Sequence, residues 1–88
     1  MSITSPVVLL SKDGCHLCAD AAAELAPVCE EFDLQLSIEQ LDDHPELVEQ
    51  YWQMLPVLLV DGVQRDFLKI SPDRVRKLLS ARSSANQN

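Results

Sequence analysis

The chain's 88 residues amount to a single domain, since domains run from about 50 to 250 residues. Hydrophobic residues make up 47%, enough for a core, while two glycines and five prolines exclude a low-complexity or collagen-like chain. Seven basic against fourteen acidic residues leave a formal charge of -7, which argues against nucleic acid and anionic membrane as partners, both of which demand a positive surface.

Val7-Val8-Leu9-Leu10 follows Pro6 as a continuous apolar run, the pattern of a strand buried on both faces. A membrane helix needs about 20 apolar residues, and the longest aliphatic runs here hold four, so no span is expected. The N-terminus has no basic segment ahead of an apolar stretch, so no secretory signal is expected either. Ser11-Lys12-Asp13-Gly14 breaks the first run and reads as a strand-to-helix turn. Cys18, Ala21, Ala22, Leu25, Cys29 and Phe32 then recur at three- and four-residue steps, the stripe of an amphipathic helix. Pro27 has no N–H for the Ala23 carbonyl, which predicts a kink or break inside that helix.

Leu34, Leu36 and Ile38 alternate with Gln35, Ser37 and Glu39, as in a half-buried strand. Asp42-Asp43-His44-Pro45-Glu46 reads as a helix start, with an acidic cap and a proline near the first turn. Leu47, Val48, Tyr51 and Trp52 form that helix's apolar side and are packing residues. Leu55-Pro56 leads into Val57-Leu58-Leu59-Val60, a second doubly buried strand. Asp61-Gly62 is a strong hairpin signal, because a type I′ turn needs positive φ at both central residues. Val63 to Leu68 is the return strand, mixed in polarity and therefore an edge. Ser71-Pro72-Asp73 supplies cap, first residue and acidic first turn of a last helix buried through Val75, Leu78 and Leu79. Residues 1–82 thus form one domain, and Ser83 to Asn88 a flexible polar tail.

The order is β-α-β-α-β-β-α, an α/β protein with helices on both faces of four strands. The two continuous runs belong in the middle of the sheet and the two alternating ones at its edges. The first βαβ unit should be parallel with a right-handed crossover, and the hairpin antiparallel. Charge is uneven along this order: residues 1–62 hold twelve acids and one base, Lys12, while 63–88 hold six bases and two acids. Two solvated faces of opposite sign would account for this. A basic end folded near Lys12 would instead attract a small anionic ligand.

Three cysteines, an odd number, with no secretory signal point to a reducing, cytoplasmic compartment, where a Cys-x-x-Cys pair is catalytic or metal-binding. Cys15 and Cys18 fall where the first central strand ends and the helix begins, the end at which open α/β sheets place their chemistry. Unpaired N–H groups and the positive end of the helix dipole favour a thiolate there. A second cysteine three residues on lies about one turn away on the same side, within reach of a disulfide. An exposed thiolate with a more buried partner makes a nucleophile, Cys15, and a resolving residue, Cys18. Zinc knuckles share the spacing but need two more ligands. Cys29 lies eleven residues beyond Cys18, about 16 Å along one helix, and reads as a small buried apolar residue. His16 is open to two readings, an exposed first-turn residue or a functional one, as a ligand, a proton relay or a tuner of the thiolate. Lys12 is open to two readings, a charge lent to the thiolate or to an anionic substrate, or a residue that keeps the turn soluble. His44 is a loop residue far in sequence from the pair.

Lys12-x-x-Cys15-His16-Leu17-Cys18, a proline ahead of the third strand and the element order together resemble the glutaredoxins. They are similar in particular to a small glutaredoxin-like family with a Cys-His-Leu-Cys motif, over about residues 6–82. The resemblance implies a thioredoxin-type sheet ordered 2-1-3-4, with Pro56 in a cis peptide facing the cysteine pair and the Leu55 backbone pairing with extended substrate. Lys12, His16, Leu55 and Pro56 are then the substrate-binding residues, Cys15 and Cys18 the catalytic ones, and no metal is needed. Ordinary glutaredoxins carry Cys-Pro-Tyr-Cys, Thr-Val-Pro and a Gly-Gly then Cys-Asp stretch that grips glutathione. Here the equivalents are Cys-His-Leu-Cys, Met54-Leu55-Pro56 and a glycine-free stretch from Leu68 to Asp73.

The expectation is a monomeric thiol–disulfide oxidoreductase serving cell redox homeostasis. It would hold no bound cofactor and use glutathione at most as a weak cosubstrate. Its partners would be a protein or small-molecule disulfide and a protein or glutathione reductant. Two other classes remain open at this stage. One is an iron–sulfur or metal carrier holding its cluster through Cys15 across a dimer, and the other is a redox-inactive protein-binding module on the same fold.

Overall fold

The two continuous apolar runs become the two inner strands of one sheet. In the computed structural model, which describes the backbone of residues 6–85 and the side chains of residues 6–82, β1 spans Val7–Ser11 and β3 spans Val57–Val60. All residues of both strands are buried. The outer strands are β2, Leu36–Gln40, and β4, Val63–Phe67. Three helices complete the order: α1, His16–Glu31; α2, Pro45–Tyr51; and α3, Pro72–Ala85. A 3-10 turn at Leu41–Asp43 links β2 to α2.

The sheet runs β2-β1-β3-β4, the order implied by the resemblance. β1 pairs parallel with β2, opening at Val7 with Leu36, and antiparallel with β3, closing at Leu10 with Val57. Alternation along the inner strands splits the core in two. Val7, Leu9, Leu58 and Val60 pack with Leu25, Val28 and Cys29 of α1 and with Val75 and Leu79 of α3. Val8, Leu10, Val57 and Leu59 point the other way, onto Leu41, Tyr51 and the flank of α2 at Leu47 and Val48. Both faces of each inner strand therefore need apolar side chains, each worth about 1.5–3 kcal/mol when fully buried. That is why their sequences do not alternate.

Asp61 and Gly62 join β3 to β4 with φ of 53° and 82°, the left-handed pair a two-residue hairpin needs. Leu58 faces Asp66 while Leu59 faces Gln64, so Arg65 is the extra residue of a bulge. Ser71 caps α3 as its sequence implies: its Oγ accepts the Arg74 N–H at 3.4 Å, and Pro72 is the first helical residue.

Several local expectations change. Pro27 does not end α1, which is one helix of 16 residues. Pro27 and Ala23 both lie on the exposed side, so the freed Ala23 carbonyl faces water rather than the core. The cap of α2 is His44 rather than an aspartate, because Asp42 and Asp43 are taken up in the 3-10 turn. Trp52 is not part of the apolar side of α2: it follows the last helical turn and is 58% exposed. Ile38 likewise turns outward on β2 at 49% exposure. The strand after the hairpin stops at Phe67, one residue short of Leu68. α3 continues through Ala85, so residues 83–85 of the expected tail are helical; residues 86–88 lie outside the described residues.

The bases of the second half engage carboxylates of both halves, Arg76 and Arg82 reaching Glu31 and Asp61 of the first. Arg76 binds Glu31 at 2.9 Å and Asp73 at 3.0 Å, and Arg82 binds Asp61 at 2.7 Å. Arg74 grips Asp66 across the β4–α3 connection at 3.0 Å. These contacts lower the Glu31 and Asp61 carboxyls below their ordinary range, each chiefly through the arginine hydrogen bond.

Candidate functional site

The loop after β1 is a turn closed by the Cys15 N–H on the Lys12 carbonyl at 3.2 Å. Gly14 sits in it at φ 80°, a conformation that residues with a Cβ adopt only with strain. This turn delivers Cys15 in extended conformation as the N-cap of α1. Its Sγ accepts the Cys18 N–H at 3.2 Å, and its carbonyl accepts the Ala19 N–H at 3.1 Å. The thiol group occupies the place that serine or aspartate takes in most helix caps. Sulfur is a weak acceptor as a thiol and a charge-assisted one as a thiolate. The first turn carries no acidic residue to compete for the positive end of the helix.

Cys18 lies one turn below, only 3% exposed. Its thiol pKa is pushed up to about 12, first by burial and then by the hydrogen bond with Cys15, while the Lys12 backbone pulls the other way. No disulfide joins the two cysteines in this structure. Lys12 and His16 flank Cys15 in the chain and are both exposed.

The register of the inner strands brings a second segment to this end of the sheet. Val57, the first residue of β3, pairs with Leu10 near the end of β1, so the Met54–Pro56 loop approaches where the cysteine turn departs. The Leu55–Pro56 peptide is cis, Pro56 is fully buried, and Leu55 packs on the second core. The Leu68 N–H fixes this loop, donating to the Pro56 carbonyl at 2.9 Å and the Met54 carbonyl at 3.2 Å. Sequence reasoning assigned Leu68 no role. Its contribution is a backbone hydrogen bond at φ 61°, which no side-chain pattern announces.

Two residues singled out by type stand elsewhere. Cys29 is buried in the first core, and burial raises its thiol pKa. His44 is the cap residue of α2, with Nε2 3.1 Å from Glu39 and Nδ1 3.8 Å from Glu46. Its hydrogen bond, with a second from Ser37, holds Glu39 below the usual carboxylate range. Among the described residues no group of three or more His, Cys, Asp or Glu is arranged to hold a metal ion. Among them too, no helix is long and apolar enough to cross a membrane.

Residues 6–80 match the family model described as Glutaredoxin-like domain (DUF836). Uncharacterized proteins of Mycobacterium bovis and Mycobacterium tuberculosis are 28% identical to the chain over 75 residues, 80% of this chain and 77% of theirs. Among solved structures, the X-ray structure of the structural-genomics target XcR50 from X. campestris superposes with a TM-score of 0.70 at 27% identity, covering 85% of this chain and 96% of that one. Thioredoxin 1 from Thermosipho africanus gives a TM-score of 0.68 at 13% identity over 93% of this chain and 98% of its own, a likeness of fold alone.

Proposed function

The chain belongs to the glutaredoxin-like domain family, and from that premise we propose that it is a cytoplasmic thiol–disulfide oxidoreductase acting through Cys15 and Cys18. The observation that carries the reading is the capping bond: one half-buried sulfur on the free N–H groups of α1, and a second, buried sulfur one turn below. Cys15, as thiolate, attacks one sulfur of a substrate disulfide. A Cys15–substrate bond forms, the substrate's own S–S bond breaks, and the departing thiolate takes a proton from water. Cys18 then attacks the Cys15 sulfur, its proton going to the second departing thiolate. Two electrons have passed from the dithiol to the substrate, and a Cys15–Cys18 disulfide remains. A dithiol protein or two molecules of glutathione return them.

Burial suits Cys18 to the second step, because a thiol that holds its proton does not compete for the incoming disulfide. Leu55 offers its backbone to extended substrate beside Pro56, and Lys12 and His16 border the approach to Cys15. Glutathione binds weakly, with Kd in the millimolar range or above, about 4 kcal/mol. The segment after β4 carries Leu68 where a glycine would let ligand reach the backbone, and Asp73 places a carboxylate at the start of α3.

The test is trapping. Cys18→Ser should accumulate a mixed disulfide on Cys15 with a disulfide substrate, while Cys15→Ser should neither trap nor turn over. Full reduction of disulfides by Cys15→Ser would overturn the assignment. Iron or inorganic sulfide copurifying with the protein and lost in Cys15→Ser would favour the carrier reading instead.

A further inference from the structure

A cleft of about 400 Å³ opens between the first turns of α1 and the segment joining β4 to α3. That volume lies at the lower end of the roughly 300–1,000 Å³ of small-ligand sites. Its apolar lining includes Leu17, Ala21 and Leu68, its α1 wall carries Asp20 and Glu24, and the opposite wall carries Lys69. Leu17 and Leu68 are 47% and 42% exposed, and neither belongs to either core.

Leu68 stands there against its own backbone preference. At φ 61° a leucine is strained, and glycine or asparagine would serve the turn better. The conformation is held because the Leu68 N–H bonds the Met54 and Pro56 carbonyls. Burial in the core does not account for the side chain, since Leu68 faces the cleft. Leu17 lies between the two cysteines in the chain, so one wall of the cleft starts in the first turn of α1, just past Cys15, and the other starts at the residue that fixes the Pro56 loop.

The charges in the cleft are selective as well. Arg74 at its edge is occupied, with three hydrogen bonds to Asp66 and one to the Lys69 carbonyl. Asp20 and Glu24 have no ion-pair partner among the described residues, which leaves two free carboxylates against the ammonium of Lys69. An anionic tripeptide such as glutathione would set its own carboxylates beside them. Its residues next to cysteine also offer no apolar side chain to fill the lining.

We propose that this cleft is a side-chain pocket selecting polypeptide disulfides with an aliphatic residue next to the reacting cysteine and a basic residue beyond it. The proposal rests on the oxidoreductase reading and names its substrate class.

The test compares short peptide disulfides containing Leu-Lys, Gly-Lys or Leu-Glu beside the cysteine, with the protein recycled by dithiothreitol. kcat/KM for the Leu-Lys peptide should exceed that for Gly-Lys by about tenfold, the scale of an aliphatic pocket. Leu-Glu should fall below Leu-Lys, and Asp20→Asn with Glu24→Gln should remove that difference. In Leu68→Gly, which suits the backbone and so folds, the Leu-to-Gly ratio should shrink to within about twofold. Ile38→Thr, on the far edge strand, should keep the full ratio. Equal kcat/KM for Leu-Lys and Gly-Lys in the wild type overturns the pocket and leaves the oxidoreductase reading intact.

A turnover-free measurement separates the two. Peptides with serine in place of cysteine are titrated while the amide shifts of Leu17, Ala21 and Leu68 are followed. Preferential binding of the Leu-Lys analogue there without reduction of any disulfide would keep the pocket and overturn the redox reading. No preference and no reduction would overturn both.

Discussion

Cys15 has a structural role and a proposed chemical one at the same atom, and substitutions separate them. As the N-cap of α1 its sulfur receives the Cys18 N–H. Cys15→Ala leaves that donor without a side-chain partner and should lower stability by about 1 kcal/mol, the usual cost of losing a cap. Cys15→Ser keeps an acceptor in place, so its urea midpoint should stay above that of Cys15→Ala. Both variants should lose disulfide reduction entirely. Equal destabilisation by serine and alanine would mean that the bond to Cys18 does not support the helix.

Cys18 gives the molecule a pH dependence whose sign follows from burial. Its folded pKa is about 12 against an ordinary value of 9.0, so the folded state favours the protonated thiol. Below the ordinary value both states hold the proton and the contribution is complete. As pH rises from 9.0 towards about 12 the unfolded chain binds fewer protons than the folded one, and stability falls. Cys29, raised by burial in the same direction, adds to the slope. Urea midpoints followed from about pH 8 to pH 10.5 should decline, and decline less in Cys18→Ala. A midpoint that holds constant over that range would contradict the burial of these thiols.

At the scale of elements, the hairpin offers a clean measurement of backbone conformation. Gly62 sits at φ 82° with no atom within 4 Å of where a Cβ would stand. Gly62→Ala therefore meets no clash, and its whole cost is that of the left-handed backbone, about 1–2 kcal/mol. A loss of that size in chemical denaturation, with disulfide reduction retained, is the expected result. A neutral substitution would show that the turn relaxes into another type.

The hairpin was legible in the sequence because Asp-Gly announces its own φ values, and the inner strands because four consecutive aliphatic residues have few other uses. What escaped were properties set by the other side of a contact. Pro27 reads as a break until its position on the exposed side of α1 is known. Trp52 belongs to the stripe of α2 by type, yet the helix ends at Tyr51 and leaves it outside. The site divides in the same way. The placement of Cys15 at the start of α1, with Cys18 one turn on, was legible from spacing, since a helix start dictates what a sulfur there meets. The cleft was not, because Leu68 enters it through a backbone conformation that leucine rarely takes.

For the whole molecule, the topology gathers the Cys15 turn, the Pro56 loop and Leu68 at one end of the sheet, and the charge bears on what reaches that end. Arg74, Arg76 and Arg82 are each engaged with carboxylates of the chain itself, so they add little free positive potential. The formal charge of -7 is left to act on incoming ligands, with Asp13, Asp20 and Glu24 the nearest acids in sequence to the cysteine pair. Diffusional capture of an anionic disulfide is then slowed by repulsion, and that of a cationic one is hastened. Salt screens both effects, with a Debye length of about 10 Å at 0.1 M. Raising ionic strength from about 0.02 to 0.2 M should raise kcat/KM for oxidised glutathione and lower it for a lysine-bearing peptide disulfide. The two slopes must differ in sign, because a general effect of salt on thiol reactivity would move both substrates together. Parallel slopes would show a general effect of salt and no steering by the acidic surface, whereas slopes of reversed sign would show that Lys12 and Lys69 set the local potential at Cys15.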